Sequence, residues 1–260
     1  MKTVYLCEDS AEGIFSGIYT AWMSRKGHAN VKLALADAQD TMELFCQYME
    51  VPVDAGNAAK VVQAIREKIS EEAYAAVYKT ALSKEADRAD MIYRFLICGF
   101  HLGAGVIHML QIQEVYDIFR VCRHVDNETH LLTGFVRFAE MEGSLLVSRI
   151  GPKNDVLTLL APHFSDRLSG ENWVLYDENR KKAVLHPAFR SWFLVDAVSP
   201  QWEEQFRQKE EEDVYQKLFK TFRKSISIKE RKNSVCQRNH MPLRYRPYMP
   251  EFSESLEDRF

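Results

Sequence analysis

Paired cysteines are missing from this chain. Its five cysteines, Cys7, Cys46, Cys98, Cys122 and Cys236, are scattered, with no CxxC among them. That spacing excludes a disulfide framework or a zinc or iron–sulfur knuckle and fits reduced thiols in a cytoplasm. No metal site or cofactor is expected. Long apolar runs are also scarce. The longest is Phe95 to Ile107, FLICGFHLGAGVI; His101 interrupts it, and it falls short of the roughly 20 residues that a bilayer needs. Met1-Lys2 leads into TVYLCEDS, too short and acidic for the apolar core of a signal peptide, so a cytoplasmic protein with no membrane partner is expected. Nucleotide-binding and hydrolytic signatures are lacking as well: there is no Walker A loop, no GxGxxG after a strand, no HExxH, no GxSxG and no CxxxCxxC.

What is present is an ordinary globular composition with an uneven charge. Of 260 residues, 46% are hydrophobic and 27% charged, and the net charge is -3. Yet Lys217 to Arg246 holds ten Lys/Arg against one acid, Glu230, so that stretch carries +9 and the remainder -12. A chain that is acidic overall and basic near one end offers that end to a polyanion. Lys229, Arg231, Lys232, Arg238, Arg244 and Arg246 are candidates to neutralise phosphates. Asn233 is a candidate for polar contacts, and His240 and Tyr245 for stacking. Docking onto an acidic partner protein, or a solvated tail, remains an alternative.

The hydrophobic pattern predicts an α+β fold. An N-terminal α/β unit comprises a strand at 3–7, a helix at 11–26 and a strand at 31–36. Segment 43–53 is mixed, with strand favoured late in it. Residues 57–84 read as helical, restarting at Ser70. Residues 86–110 read as a buried helix in which Gly99, Gly103 and Gly105 admit a close neighbour, with His101 and His108 as core histidines, and 113–125 as an amphipathic helix. Period-two patterning then predicts a hairpin from Phe135–Glu140 and Leu145–Ile150, a helix capped by Asn154-Asp155 and running to Leu168, a second hairpin from Trp173–Asp177 and Lys181–His186, and a strand at Trp192–Val198. These form an antiparallel sheet with flanking helices. A charged helix follows at 201–222, and the basic segment lies over the fold, anchored by Met241, Leu243, Tyr245, Tyr248, Met249 and Phe252. The domains are expected at 1–85, 86–224 and 225–260.

Two smaller constellations stand apart from the basic segment. Glu128-Thr129-His130 with Arg137 lies at a helix-to-strand junction, where structural hydrogen bonding is the favoured role. His163 and Arg167, four residues apart, share one helix face and are candidates for a phosphate-facing pair, with a structural helix in which Asp166 holds Arg167 as the favoured reading.

FHLG (100–103), ETH followed by GFVRF (128–138), LAPHFSDRL (160–168), NWVLYDENR (172–180) and IKERKN with MPLRYRPYMPE (228–251) together resemble a bacterial family assigned to DNA metabolism. Its members are encoded beside a radical-SAM protein, and in some bacteria are fused to a uracil-DNA glycosylase-like domain. The resemblance covers nearly the whole chain. It implies an accessory protein of DNA repair or modification that binds DNA and works with a radical-SAM enzyme. Two positions depart from the family pattern: Leu131 stands where a basic residue is common, and Arg246 where Trp is common. The second change keeps charge and removes a stacking surface. A nucleic-acid hydrolase using Glu128, His130 or His163, and a protein-interaction scaffold, are the alternatives.

Overall fold

The computed structural model describes residues 2–36, 44–141, 144–196, 218, 221–222, 225–226 and 233–252. The 201–222 helix, for the most part, together with Lys229, Arg231 and Lys232, lies outside the described residues. The chain forms two compact units, Met1–Asn127 and Glu128–Phe260. The boundary expected at 85/86 lies inside the first unit, in the connection between two helices.

Unit 1 is built on a three-stranded parallel sheet. β1 (Lys2–Cys7) lies between β2 (Val31–Leu35) and β3 (Cys46–Glu50). Parallel neighbours need crossovers. The first is α1 (Ala11–Met23), whose start is fixed by Ser10 accepting from the Gly13 amide at 2.9 Å. α2 (Ala55–Lys68) begins at Asp54 and α3 (Glu71–Ala81) at Ser70, both with side-chain caps, so the predicted restart at Ser70 is present. The core gathers Ile14, Ile18, Leu33, Ile65, Val77, Ile92, Phe95 and Leu96. Burying such a set, at about 25 cal/mol per Å² of apolar surface, is the main force holding these layers together.

The long apolar helix is shorter than its pattern suggested. α4 spans Arg88–Leu102; Gly103, at φ +67°, ends it in a conformation that glycine tolerates, and a 3-10 turn follows to His108. By length and composition Arg88–His108 is long and apolar enough to cross a membrane, but its inward face supplies Ile92, Tyr93, Phe95 and Leu96 to the unit 1 core. The close-approach reading holds at Gly99, where a Cβ would press on Ile69, and fails at Gly103 and Gly105, which face open space or the tip of Met109. His101 and His108 are both exposed rather than core histidines.

α5 (Gln113–Phe135) carries the chain into unit 2 and runs ten residues beyond its expected end at 125. The expected strand from 135 is therefore confined to β4 (Ala139–Met141). β4 pairs antiparallel with β5 (Leu145–Ile150), as the hairpin pattern required, and β6 (Asn172–Asp177) joins the same sheet. The β5–β6 pair is parallel, however, so the sheet is mixed rather than wholly antiparallel. The 151–171 connection is long enough to hold the crossover helix α6 (Leu157–Arg167). β7 (Lys182–His186) and β8 (Phe193–Val195) complete the order β4-β5-β6-β7-β8 through antiparallel pairs. Trp173 anchors one sheet face: fully buried, it stacks on His186 at 5.0 Å and meets Phe138 and Phe164 edge-on.

Candidate nucleic-acid interface

The C-terminal segment divides into two parts that use their charge differently. Residues 243–252 form two 3-10 turns that dock on unit 2 and bury Tyr245, Met249 and Phe252. The anchoring role predicted for those three is thus met, while Leu243 is exposed. Tyr245 is 1% exposed and Arg246 8% exposed, with the Arg246 guanidinium 4.9 Å from the Phe252 ring centre. Arg244 donates to Glu128 Oε1 at 2.9 Å and lies over the Tyr245 ring at 4.6 Å. As placed, Tyr245 cannot stack on a base and Arg246 cannot face a phosphate, and the charge of Arg244 is already matched by a carboxylate. A net count of charge along the sequence could not detect this matching, because the partner of Arg244 lies 116 positions away.

Glu128 is the centre of this docking. Only 3% exposed, its carboxylate accepts from the Lys153 amide (3.0 Å), the Asn154 amide (2.8 Å), Asn154 Nδ2 (2.6 Å), Arg244 and the Tyr245 hydroxyl (3.2 Å). Five donors saturate the acceptor capacity of one carboxylate. Asn154 was expected to cap α6. It is turned instead to Glu128, and α6 has Val156 at its N-cap position with no side-chain cap. The same 151–154 loop is gripped through its carbonyls: Arg180 donates to Pro152 O at 3.3 Å and Lys153 O at 2.6 Å, and Asn179 to Pro152 O at 2.9 Å. Arg180 in turn pairs with the buried Asp177 at 3.1 Å, whose carboxyl is pushed up by burial against the opposing pull of Arg180. Two further clamps hold the C-terminal turns: Arg137 to Glu251 at 3.0 Å, and the Tyr248 hydroxyl to Glu178 at 3.1 Å. Burial pushes the Tyr245 and Tyr248 hydroxyls up to about 12. The Glu128-Thr129-His130 motif serves the structural hydrogen bonding that its sequence favoured, but it lies within α5 rather than at a helix-to-strand junction. Glu128 is engaged, His130 is exposed, and Arg137 belongs to a clamp.

The remaining candidates stay at the surface. Asn233 caps α7 (Ser234–His240) by accepting from the Cys236 amide at 2.9 Å; Arg238 and His240 on that helix are exposed. His163 and Arg167 are both exposed on α6. Among the described residues, no group of three or more His, Cys, Asp or Glu side chains has the arrangement to hold a metal.

One surface residue lies outside the motifs read from the sequence. Phe189 is 85% exposed, with φ +58°, a backbone conformation that a bulky side chain rarely adopts. Its turn is fixed on both sides: the Phe189 amide donates to Ser169 O at 2.7 Å, Arg190 to Pro187 O at 3.0 Å, and the Ala188 amide to Asn172 Oδ1 at 2.9 Å. The ring lies against Gly170, and Arg190, next in sequence, is exposed. The signal, in retrospect, is the pair HPAF and SG, a tight turn facing a small residue.

These features define an α+β protein whose C-terminal unit is closed by its own basic tail. Residues 86–251 match the model of DUF4130, a domain of unknown function, and the chain belongs to that family. No curated protein matches it.

Proposed function

We propose that this protein binds nucleic acid through unit 2 as a cytoplasmic accessory factor of DNA repair or modification, working with a radical-SAM partner. The partner, the DNA context and the compartment rest on the motif resemblance set out above. The observation that carries nucleic-acid binding is the division of the basic run. Of its ten cations, Arg244 and Arg246 are taken up by the fold, and the other eight precede residue 239. Phosphate contact is therefore assigned to Lys229, Arg231, Lys232 and Arg238, with Asn233 and His240 as polar contacts. Phe189 supplies the exposed ring for a base that buried Tyr245 does not. The pair His163 and Arg167, on the helix that ends at the Ser169-Gly170 segment facing this turn, is a second phosphate-facing element. A hydrolase reading is less well supported, because the Glu128 carboxylate is fully occupied by protein donors.

The test is fluorescence anisotropy with single- and double-stranded DNA at several salt concentrations. Counterion release sets the log–log salt slope at about -0.7 per phosphate contact for single strands and about -0.9 for duplex. The variant R231A/K232A/R238A should flatten the slope by roughly two to three units. F189A should weaken single-strand binding by about 1–3 kcal/mol with the slope unchanged, since it removes stacking and no charge. Absence of binding at low salt by the folded protein would refute the reading and favour docking on an acidic partner.

A further inference from the structure

Unit 1 contains a pocket that none of the preceding roles uses. It lies in the groove between α1 and α2, has a volume of about 390 Å³, and is open to solvent on one side. The sequence makes it by a simple device. On α2, Lys60, Ala64 and Lys68 recur every four residues and so form one stripe. The middle member is a methyl group, so the stripe is hollow at its centre and cationic at both ends. Opposite it, α1 contributes Tyr19 and Trp22, and Phe100 of α4 closes the floor edge-on to Trp22 at 5.2 Å. The lining is predominantly apolar, and its two charged residues are both lysines. The Lys60 ammonium sits 5.1 Å from the Tyr19 ring centre and reaches Asn57 Oδ1 at 3.1 Å. Among the described residues neither Lys60 nor Lys68 pairs with a carboxylate.

A volume within the small-molecule range, an aromatic and aliphatic floor and a few polar groups of one sign are the ordinary makings of a ligand site. A nucleobase would leave its polar edges desolvated against this floor without hydrogen-bond partners. An apolar body with an anionic head satisfies both parts. We propose that this groove binds a small amphipathic anion, an alkyl or aryl chain carrying a carboxylate or sulfonate, with the chain on Trp22, Ala64 and Phe100 and the head at one end of the stripe, against Lys60 or Lys68. All lining residues except Phe100 precede the residues matched by the DUF4130 model, so the site stands apart from the nucleic-acid reading and does not depend on it.

The experiment uses the full chain and three probes: sodium decanoate, the neutral analogue decanol, and anilinonaphthalene sulfonate as a fluorescent reporter. Wild type should bind decanoate saturably at one site per chain, with displacement of the reporter, and more tightly than decanol. K60A/K68A removes two exposed charges and should remain folded. It should weaken decanoate by roughly 1.5- to 5-fold and leave decanol unchanged. A64L fills the hollow and should abolish binding of both, with circular dichroism as the folding control. Equal binding of decanoate and decanol, or decanoate binding indifferent to K60A/K68A, would overturn the anion assignment. No saturable binding by wild type, or binding unaffected in folded A64L, would overturn the site itself.

Discussion

Replacing Glu128 by Ala is the most demanding test of how the C-terminal turns are held. The substitution strips an acceptor from the amides of Lys153 and Asn154, from Asn154 Nδ2, from Arg244 and from the Tyr245 hydroxyl in one step. Breaking a buried ion pair from one side costs about 3–5 kcal/mol, because the partner and the donors are left unmatched. That is comparable to the whole stability of a small domain. With a urea m-value of about 2 kcal/mol/M, the midpoint should fall on the order of 2 M. Arg244 to Met should cost less, about 1–2 kcal/mol, since its side chain is 34% exposed and Glu128 keeps its other donors. The double variant E128A/R244M should cost less than the sum, the two groups being in contact. Urea unfolding followed by tryptophan fluorescence reads this, with buried Trp173 reporting on unit 2. A loss below about 1 kcal/mol for E128A would refute the claim that this carboxylate organises the junction. DNA affinity adds a second readout: once compared at equal folded fraction, R244M should keep the wild-type salt slope.

Thiol reactivity should follow burial. Cys236 is exposed, whereas burial pushes the Cys7 thiol up to about 12 and that of Cys122 upward. At pH 8 a disulfide reagent should label Cys236 first and reach Cys7 only on unfolding, and rapid labelling of Cys7 in folded protein would contradict its placement. Alkali should weaken the tail docking. Tyr245 and Tyr248 are held near 12 against an ordinary value of 10, so the folded state binds their protons more tightly than the unfolded state. Their stabilisation is present in full below pH 10 and is lost between about pH 10 and 12. Absorbance at 295 nm should show these two among the last of the eleven tyrosines to ionise.

Much of the architecture was legible because local signals and tertiary context agreed. Ser10, Asp54 and Ser70 each start a helix where a capping residue precedes an apolar period. The first hairpin and the second followed from period-two patterning. The misreadings arose where a distant partner decides. FVRF alternates like a strand, yet α5 continues through Phe135 and Arg137 turns to Glu251, 114 positions on. Asn154 looks like a cap and is claimed by Glu128. The Arg244-Tyr245-Arg246 run looks like a phosphate-binding surface and is in fact a plug. Each error has one cause: hydrogen bonds and ion pairs between residues 26 to 116 positions apart leave no periodic trace. The α2 groove was missed for another reason, since Ala64 between two lysines is an ordinary helical surface until α1 lies beside it.

The dependence of Glu128 on Arg244 and Tyr245 also orders events during synthesis. The chain is made from its N-terminus, and domains generally fold as units in that order. The parallel sheet of unit 1 and its helices are complete in sequence once α5 has been made. The described strands of unit 2 are made by residue 195, well before Tyr245, Met249 and Phe252, which are buried in it. Until those residues leave the ribosome, Glu128 is a charged side chain without its cation, and the surface that they cover is open to solvent. The nascent protein therefore passes through an interval in which a finished N-terminal unit is tethered to an unclosed one, and a ribosome stalled before residue 244 would leave that interval without an end.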